Sequence, residues 1–205
     1  AALVQVGDTI TIKRDCCALK NNVYAGKAMD DRAGVVALVE CLRRLKDFNH
    51  QAEVVAVVTV QEELGVRGAF VSSYGLNPDL GLAVDVTHGE MPGLADYEGF
   101  KLGQGPVIVT GPQVHPLIFE KLTAAAEAGK IKYQVEAEAT PRGTDAYAIQ
   151  VAQAGVASGL LSIPLRYMHT SVETLALDDL KETGRLLAEF SMTVDDAFLE
   201  GLKCY

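Results

Sequence analysis

The chain has 205 residues, 49% of them hydrophobic and 22% charged, with a formal net charge of -9. It is long enough to bury a core and to form one domain, or a domain plus a fragment; its acidity argues against nucleic acid, whose binders carry a basic stripe, and suits a cation instead. No stretch reaches the roughly 18 apolar residues needed to cross a bilayer, and with no basic segment leading into an apolar one at the start, the expected location is the cytoplasm.

Residues 6–14, VGDTITIKR, alternate in polarity after a Gly-Asp turn and predict a strand, and CCALKNNVYAGK then reads as a connection. Cys16 and Cys17 are neighbours, Cys41 falls in a helical pattern and Cys204 is next to the last residue. With no CxxC pair, all four read as free thiols of a reducing compartment, Cys41 as a small core residue. DDRAGVVALVECLRRLKDF places Val35, Leu38, Val39, Leu42 and Leu45 at helical spacing, with acids at its start and Arg43, Arg44 and Lys46 near its end.

Residues 54–60 form a near-continuous apolar run that predicts a buried strand, followed by LGVRGAFVSSYGL as a short helix or turn. GLAVDVT and PVIVT predict two more strands. HPLIFEKLTAAAEAGK is a helix closing on Gly129, KYQVEA a strand, TDAYAIQVAQAG a helix, GVASGLLSIP a strand, and residues 178–198 one amphipathic helix. This alternation predicts an α/β fold, a three-layer αβα sandwich around a mostly parallel mixed sheet, with its site beyond the carboxyl ends of the strands.

Asp30 at the mouth of the first helix, Glu62 and Glu63 after residues 54–60, Asp85 near the end of LAVDVT and His169 after LLSIPLRYM all stand at that edge. Oxygen-rich donors with a little nitrogen suit Zn²⁺, Co²⁺ or Mn²⁺. Plainer roles exist: Asp30 and Asp31 can cap a helix, an adjacent Glu pair can complement a helix dipole, and a single histidine is more often structural. Asp85 is harder to explain that way, because a carboxylate inside an apolar central strand must be paired or metal-bound to offset its desolvation. His50 reads as solvated, His115 as structural at a helix start, and His88, three residues past Asp85, as a candidate for a supporting or substrate role.

GKAMDDRAG, VTVQEELGVRGA, PDLGLAVDVTHGEMPG, RGTDAYAI and IPLRYMHTSVE, in this order, resemble the signature segments of the di-metal aminopeptidase family that includes the tetrahedral dodecameric, glutamyl and deblocking aminopeptidases and proteins labelled cellulase M. The resemblance runs over about residues 6–190 and implies a zinc-exopeptidase-like sandwich. It implies that Asp30 bridges two divalent ions, zinc or cobalt, that Glu63 and His169 complete one site, and that Asp85 belongs to the other. Glu62 is then the general base, with Thr144, Asp145 and Arg166 as secondary candidates for shaping the substrate pocket. The implied substrates are peptides with a free amino terminus, and the implied assembly is a homo-oligomer, a dodecamer built from dimers.

Members of that family carry an earlier metal histidine, in a His-x-Asp segment before an inserted β-domain, which has no counterpart here. Residues 1–26 are accordingly expected to be a remnant of the inserted domain and a linker, and 27–205 the catalytic domain. One metal site then has three protein ligands and the other two, Asp30 and Asp85, so the chain is expected to bind at least one ion and to show weak or no peptidase activity. Competing readings are a di-metal deacylase or carboxypeptidase, and a non-catalytic remnant serving assembly or binding. A glycosidase is least favoured, since adjacent glutamates cannot flank a glycosidic bond across roughly 5–9.5 Å.

Overall fold

Strand β6 (Ala157–Arg166) organises the molecule: Leu160, Leu161, Ile163 and Leu165 along it are fully buried, as expected of a strand covered on both faces. The computed structural model describes residues 3–95 and 98–202, so Cys204 lies outside the described residues. The sheet has seven strands in the order β1 (Cys17–Ala18), β2 (Val23–Gly26), β7 (Glu173–Ala176), β6, β4 (Val107–Thr110), β5 (Gln134–Ala137), with β3 (Leu80–His88) paired to β6. The β3–β6 and β4–β5 ladders are parallel and the others antiparallel. On one face, α1 (Met29–Leu45), α3 (Pro116–Ala128) and α5 (Leu177–Met192) pack over Ile108 and Leu161. On the other, α4 (Asp145–Gln150) covers β3, where Ala83 packs with Leu160 and Ala146, and α2 (Arg67–Leu76) packs against α4. The result is the expected α/β sandwich of three layers.

Helix α1 buries a different stripe from the one its large residues suggest. Ala33, Ala37, Cys41 and Leu45 are buried, whereas Val39 and Leu42 are exposed. Small residues at four-residue spacing let α5 approach closely, and a Cβ added at Gly184 of α5 would lie 2.6 Å from the Ala37 carbonyl oxygen. Close approach has replaced bulk as the packing rule at this contact.

Other departures share one cause: a strand exists only where a second strand completes its ladder. Residues 6–14 are exposed and join no ladder among the described residues, with a turn at Val6 and Gly7, and so are not a strand. Residues 54–60, expected as a buried strand, likewise join no ladder, with Val58 63% and Val60 67% exposed. Conversely, the stretch read as a connection contains β1 and β2, and β2 is zipped to the unanticipated β7. Strand β3 pairs only with β6 among the described residues, so Asp85 lies in an edge strand rather than a central one. Helix α4 stops at Gln150, short of the expected end, and the last helix divides into α5 and α6 (Asp196–Gly201), where Asp195 accepts a capping hydrogen bond from Phe198 N–H at 2.8 Å. Cys41 is buried as expected, and Cys16 and Cys17 are exposed free thiols.

Gly184→Val forces the α1–α5 contact apart and is expected to cost about 1–3 kcal/mol of stability. A urea midpoint equal to that of the unsubstituted chain would contradict this packing.

Candidate metal centre

The carboxyl ends of residues 54–60 and of β3 open at one edge of the sheet. There the chain turns sharply: Gln61 takes a left-handed conformation with φ 59°, and Glu62–Leu64 form a single 3₁₀ turn. Gly68 N–H closes the turn on the Val60 carbonyl at 2.8 Å. A side chain at Gly68 would overlap the Val60 backbone, which explains the glycine in VRGA. The turn aims Glu62 and Glu63 inward from one side.

Asp30 and His169 come from segments far apart in sequence and are held by a third residue. The Glu173 carboxylate, 2% exposed, accepts hydrogen bonds from Met29 N–H (2.6 Å) and Asp30 N–H (3.2 Å) on one oxygen and from His169 N–H (2.9 Å) on the other. The Asp30–Asp31 peptide bond is cis, and both residues leave helical geometry although they open α1. His169 Nε2 lies 3.0 Å from Asp30 Oδ2 and 3.4 Å from Glu63 Oε2. One donor atom from each of Asp30, Glu63 and His169 falls within 4.8 Å of the others.

The electrostatics suit a cation. Burial first and Glu63 second push the Asp30 carboxyl up to about 6, with His169 opposing. Glu62 is pushed up to about 7, by burial and then by Glu63, Asp145 and Asp30. Asp85 rises to about 8, mainly through burial, although Val86 N–H donates to it at 2.8 Å. Burial also carries Asp31 well above the usual carboxylate range, helped by Asp85, while Gly34 N–H bonded to it at 2.8 Å opposes the rise. Crowded carboxylates repel one another and resist ionising, and a divalent ion relieves both penalties. Two oxygens and one imidazole nitrogen at close range are a donor set that suits zinc or cobalt.

Of the residues singled out in the sequence, Asp30, Glu63 and His169 are gathered. Asp30 and Glu62 raise Asp85 electrostatically, but Asp85 lies outside the trio within 4.8 Å. Thr144 and Asp145 sit at the start of α4; Thr59 Oγ1 donates to Asp145 Oδ2 at 2.7 Å, leaving Asp145 Oδ1 and Thr144 Oγ1 buried and unpartnered among the described residues. Arg166 ends β6 and packs against Gly89, with no hydrogen bond or ion pair to the acidic trio among the described residues. His88 is half-buried with Nδ1 unpartnered, His50 Nδ1 meets the Ala52 carbonyl oxygen at 2.8 Å, and His115 caps α3 by accepting from Leu117 N–H.

Sequence reasoning missed Glu173, the residue that joins the two halves of the trio. Its signal was present as the last residue of IPLRYMHTSVE, four positions after His169. It also left Asp31 as a helix-start acid, although Asp31 belongs to the buried acidic cluster.

Known proteins resemble this chain in sequence and in fold. The lysyl aminopeptidase of Pyrococcus furiosus is 38% identical over 168 residues, spanning 82% of this chain and 48% of that protein. An aminopeptidase structure from the archaeon Desulfurococcus kamchatkensis superimposes with a TM-score of 0.87 at 37% identity, covering 94% of this chain and 55% of that one. The TET1 peptidase of Pyrococcus horikoshii, described as assembling into a tetrahedron or a large octahedral shell, gives a TM-score of 0.78 at 31% identity over 94% of this chain and 57% of its own. The chain thus spans about half the length of the relatives it matches. The M42 glutamyl aminopeptidase profile matches residues 1–186, and the chain belongs to that family.

Proposed function

We propose that residues 27–205 are the catalytic domain of a metal-dependent aminopeptidase, with residues 1–26 a remnant of an inserted β-domain and its linker. The observation that carries this reading is the convergence of Asp30, Glu63 and His169 donor atoms within 4.8 Å. These three side chains would hold one divalent ion, zinc or cobalt, and Asp30 with Asp85 would contribute to a second. When bound, such ions supply Lewis-acid polarisation of a peptide carbonyl and of water.

The other residues do the protein's own part of the chemistry. Glu62, half-buried beside the other acids, can take a proton from water and later return it to the leaving amine. Glu63, adjacent in the same turn, faces His169 instead, so the two glutamates divide their work between proton and ion. A free peptide amino terminus, being cationic, suits the acidic pocket; the unpartnered buried oxygen of Asp145 is its candidate acceptor, with Thr144 and Arg166 shaping the surroundings. With two described carboxylates on the second site, this form turns over slowly or not at all. A homo-oligomer, by analogy with the assemblies of the Pyrococcus horikoshii TET1 peptidase, belongs to the same proposal.

Three measurements test it. Cobalt or zinc titration should show at least one bound ion, and Glu173→Gln should weaken binding by about 10–100-fold by releasing the hydrogen bonds that aim Asp30 and His169; unchanged affinity would remove Glu173 from that role. An amino-acyl chromogenic substrate should be cleaved weakly at most, and Glu62→Gln should lower residual turnover by about 10²–10⁴-fold with the metal retained; robust turnover by the 205-residue chain, or no effect of Glu62→Gln, would contradict the assignment.

The third measurement is pH dependence. Asp30, Glu62 and Asp85 have raised folded-state values of about 6, 7 and 8, so the metal-free folded state binds more protons than the unfolded chain between about pH 4 and 8. The stability these groups contribute is fully present below their ordinary values and is lost as pH rises through the raised ones. In a chelator the melting midpoint should fall from pH 5 to 8, saturating zinc should remove the fall, and Asp85→Asn should flatten it. A midpoint rising with pH in the chelator would contradict the acidic cluster.

A further inference from the structure

His169 is carried by residues 167–172, the loop between β6 and β7, in which Tyr167, His169 and Thr170 are exposed. Two of its residues, Tyr167 with φ 57° and His169 with φ 61°, take the left-handed conformation without being glycine. That conformation is unfavourable for a residue with a Cβ and persists where the surroundings over-determine it. Met168, between them, packs against the buried cluster of Ala33, Val86 and Leu165 and pins the loop inward at one point. Polar contacts hold the rest.

Two side chains besides Glu173 supply those contacts. Thr170 Oγ1 donates to the Tyr167 carbonyl at 2.6 Å and accepts from Val172 N–H at 3.2 Å, so one hydroxyl ties the loop on both sides of His169. Tyr167 N–H, at the start of the loop, donates to the Met91 thioether sulfur at 3.3 Å. An extension of β3 brings Met91 there: Gly89 N–H donates to the Leu165 carbonyl at 2.8 Å, Gly89 bridges to Phe100, and Glu90 N–H donates to the Phe100 carbonyl at 2.8 Å. A Cβ at Gly89 would lie 2.7 Å from Leu102 Cδ1 and 3.1 Å from Arg166 Cγ, so glycine lets this extension lie against the end of β6. A threonine closing a turn on its own backbone is common. Here the turn carries the imidazole that stands 3.0 Å from Asp30 Oδ2 and 3.4 Å from Glu63 Oε2.

We infer that Thr170 and Met91 are positioning residues for His169, the hydroxyl of one and the sulfur of the other holding the left-handed backbone at 167–169 so that the imidazole points at Asp30 and Glu63. Glu173 binds the His169 N–H and fixes where that residue begins; the contacts at Tyr167 and Val172 fix the direction in which the chain enters and leaves it. Thr170 carries the larger share, because its hydroxyl makes two bonds. Serine can make the same two and valine neither, while leucine replaces the bulk of Met91 without its acceptor. The inference rests on the reading of His169 as a metal ligand, but the direction of its ring is also measurable in metal-free protein, so the two can fail separately.

The test uses the 205-residue chain, titrated with cobalt and, in parallel, held in a chelator. Thr170→Val should weaken cobalt binding by about tenfold, and Met91→Leu by about two- to tenfold. In both, the visible spectrum of bound cobalt should move toward that of His169→Ala, and Thr170→Ser should keep the unsubstituted affinity and spectrum. In the chelator, a nuclear Overhauser cross-peak between the His169 ring and the Asp30 methylene should be present in the unsubstituted chain and in Thr170→Ser, and weakened in Thr170→Val and Met91→Leu. The metal-free melting midpoint should stay near the unsubstituted value, because the loop is exposed. If the unsubstituted chain bound no cobalt, the metal reading would fall and the cross-peak would still decide the positioning roles. An unchanged cross-peak in either variant would remove that residue from its role. Absence of the cross-peak from the unsubstituted chain, failure of serine to preserve it, or losses that only track a lowered metal-free midpoint would overturn the inference.

Discussion

The buried carboxylate of Glu173 holds the candidate centre together. It is placed at the start of β7, a four-residue strand sealed on both sides by β2 and β6, and it binds the backbone of residues 29, 30 and 169 at once. Because these bonds go to main chain, they fix where Asp30 and His169 begin rather than where their side chains end. The side chains then meet at 3.0 Å, with Glu63 at 3.4 Å from the same imidazole nitrogen. A site built this way depends on the short β2–β7 ladder as much as on its own ligands.

Electrostatic cost is the second organising fact. Asp30, Asp31, Glu62, Glu63, Asp85 and Asp145 converge from four different segments, and His169 is the base that the geometry pairs with them. Such crowding lowers stability unless a cation or a proton is shared among the acids. This crowding lies at one edge of the sheet, while the core around Leu161, Ile118 and Phe190 is apolar. Stability and chemistry are thereby separated along the length of the same strands, with metal affinity drawing on the part that repels itself and fold integrity on the part that does not.

Much of this was legible in the sequence wherever local pattern and tertiary outcome agree. Helix α3 opens at His115-Pro116 and closes on Gly129 because Pro at the first turn and Gly after the last are local signals. The run LLSIPL reads as a buried strand because both its faces are covered. Asp30, Glu63 and His169 were recognisable through motif segments, not through periodicity. What was not legible depended on partners. Residues 54–60 have the composition of a strand and lack the ladder, whereas ETLA has only four residues and becomes β7 because β2 and β6 flank it. In α1 the apolar spacing pointed to Val39 and Leu42, but Ala33, Ala37 and Cys41 are the buried ones, and the close approach of Gly184 to Ala37 comes from a helix more than 130 residues later. Glu173 escaped for the same reason, since its partners are main-chain N–H groups that no side-chain pattern reveals.

The central claim, that Asp30, Glu63 and His169 form one divalent-cation site, is tested most directly by an anomalous-scattering map from crystals soaked in zinc or cobalt. The account predicts a strong peak within about 2.0–2.2 Å of one donor atom from each of the three side chains. Ions bound only elsewhere, or a peak beside one of the three with the other two turned away, would contradict it.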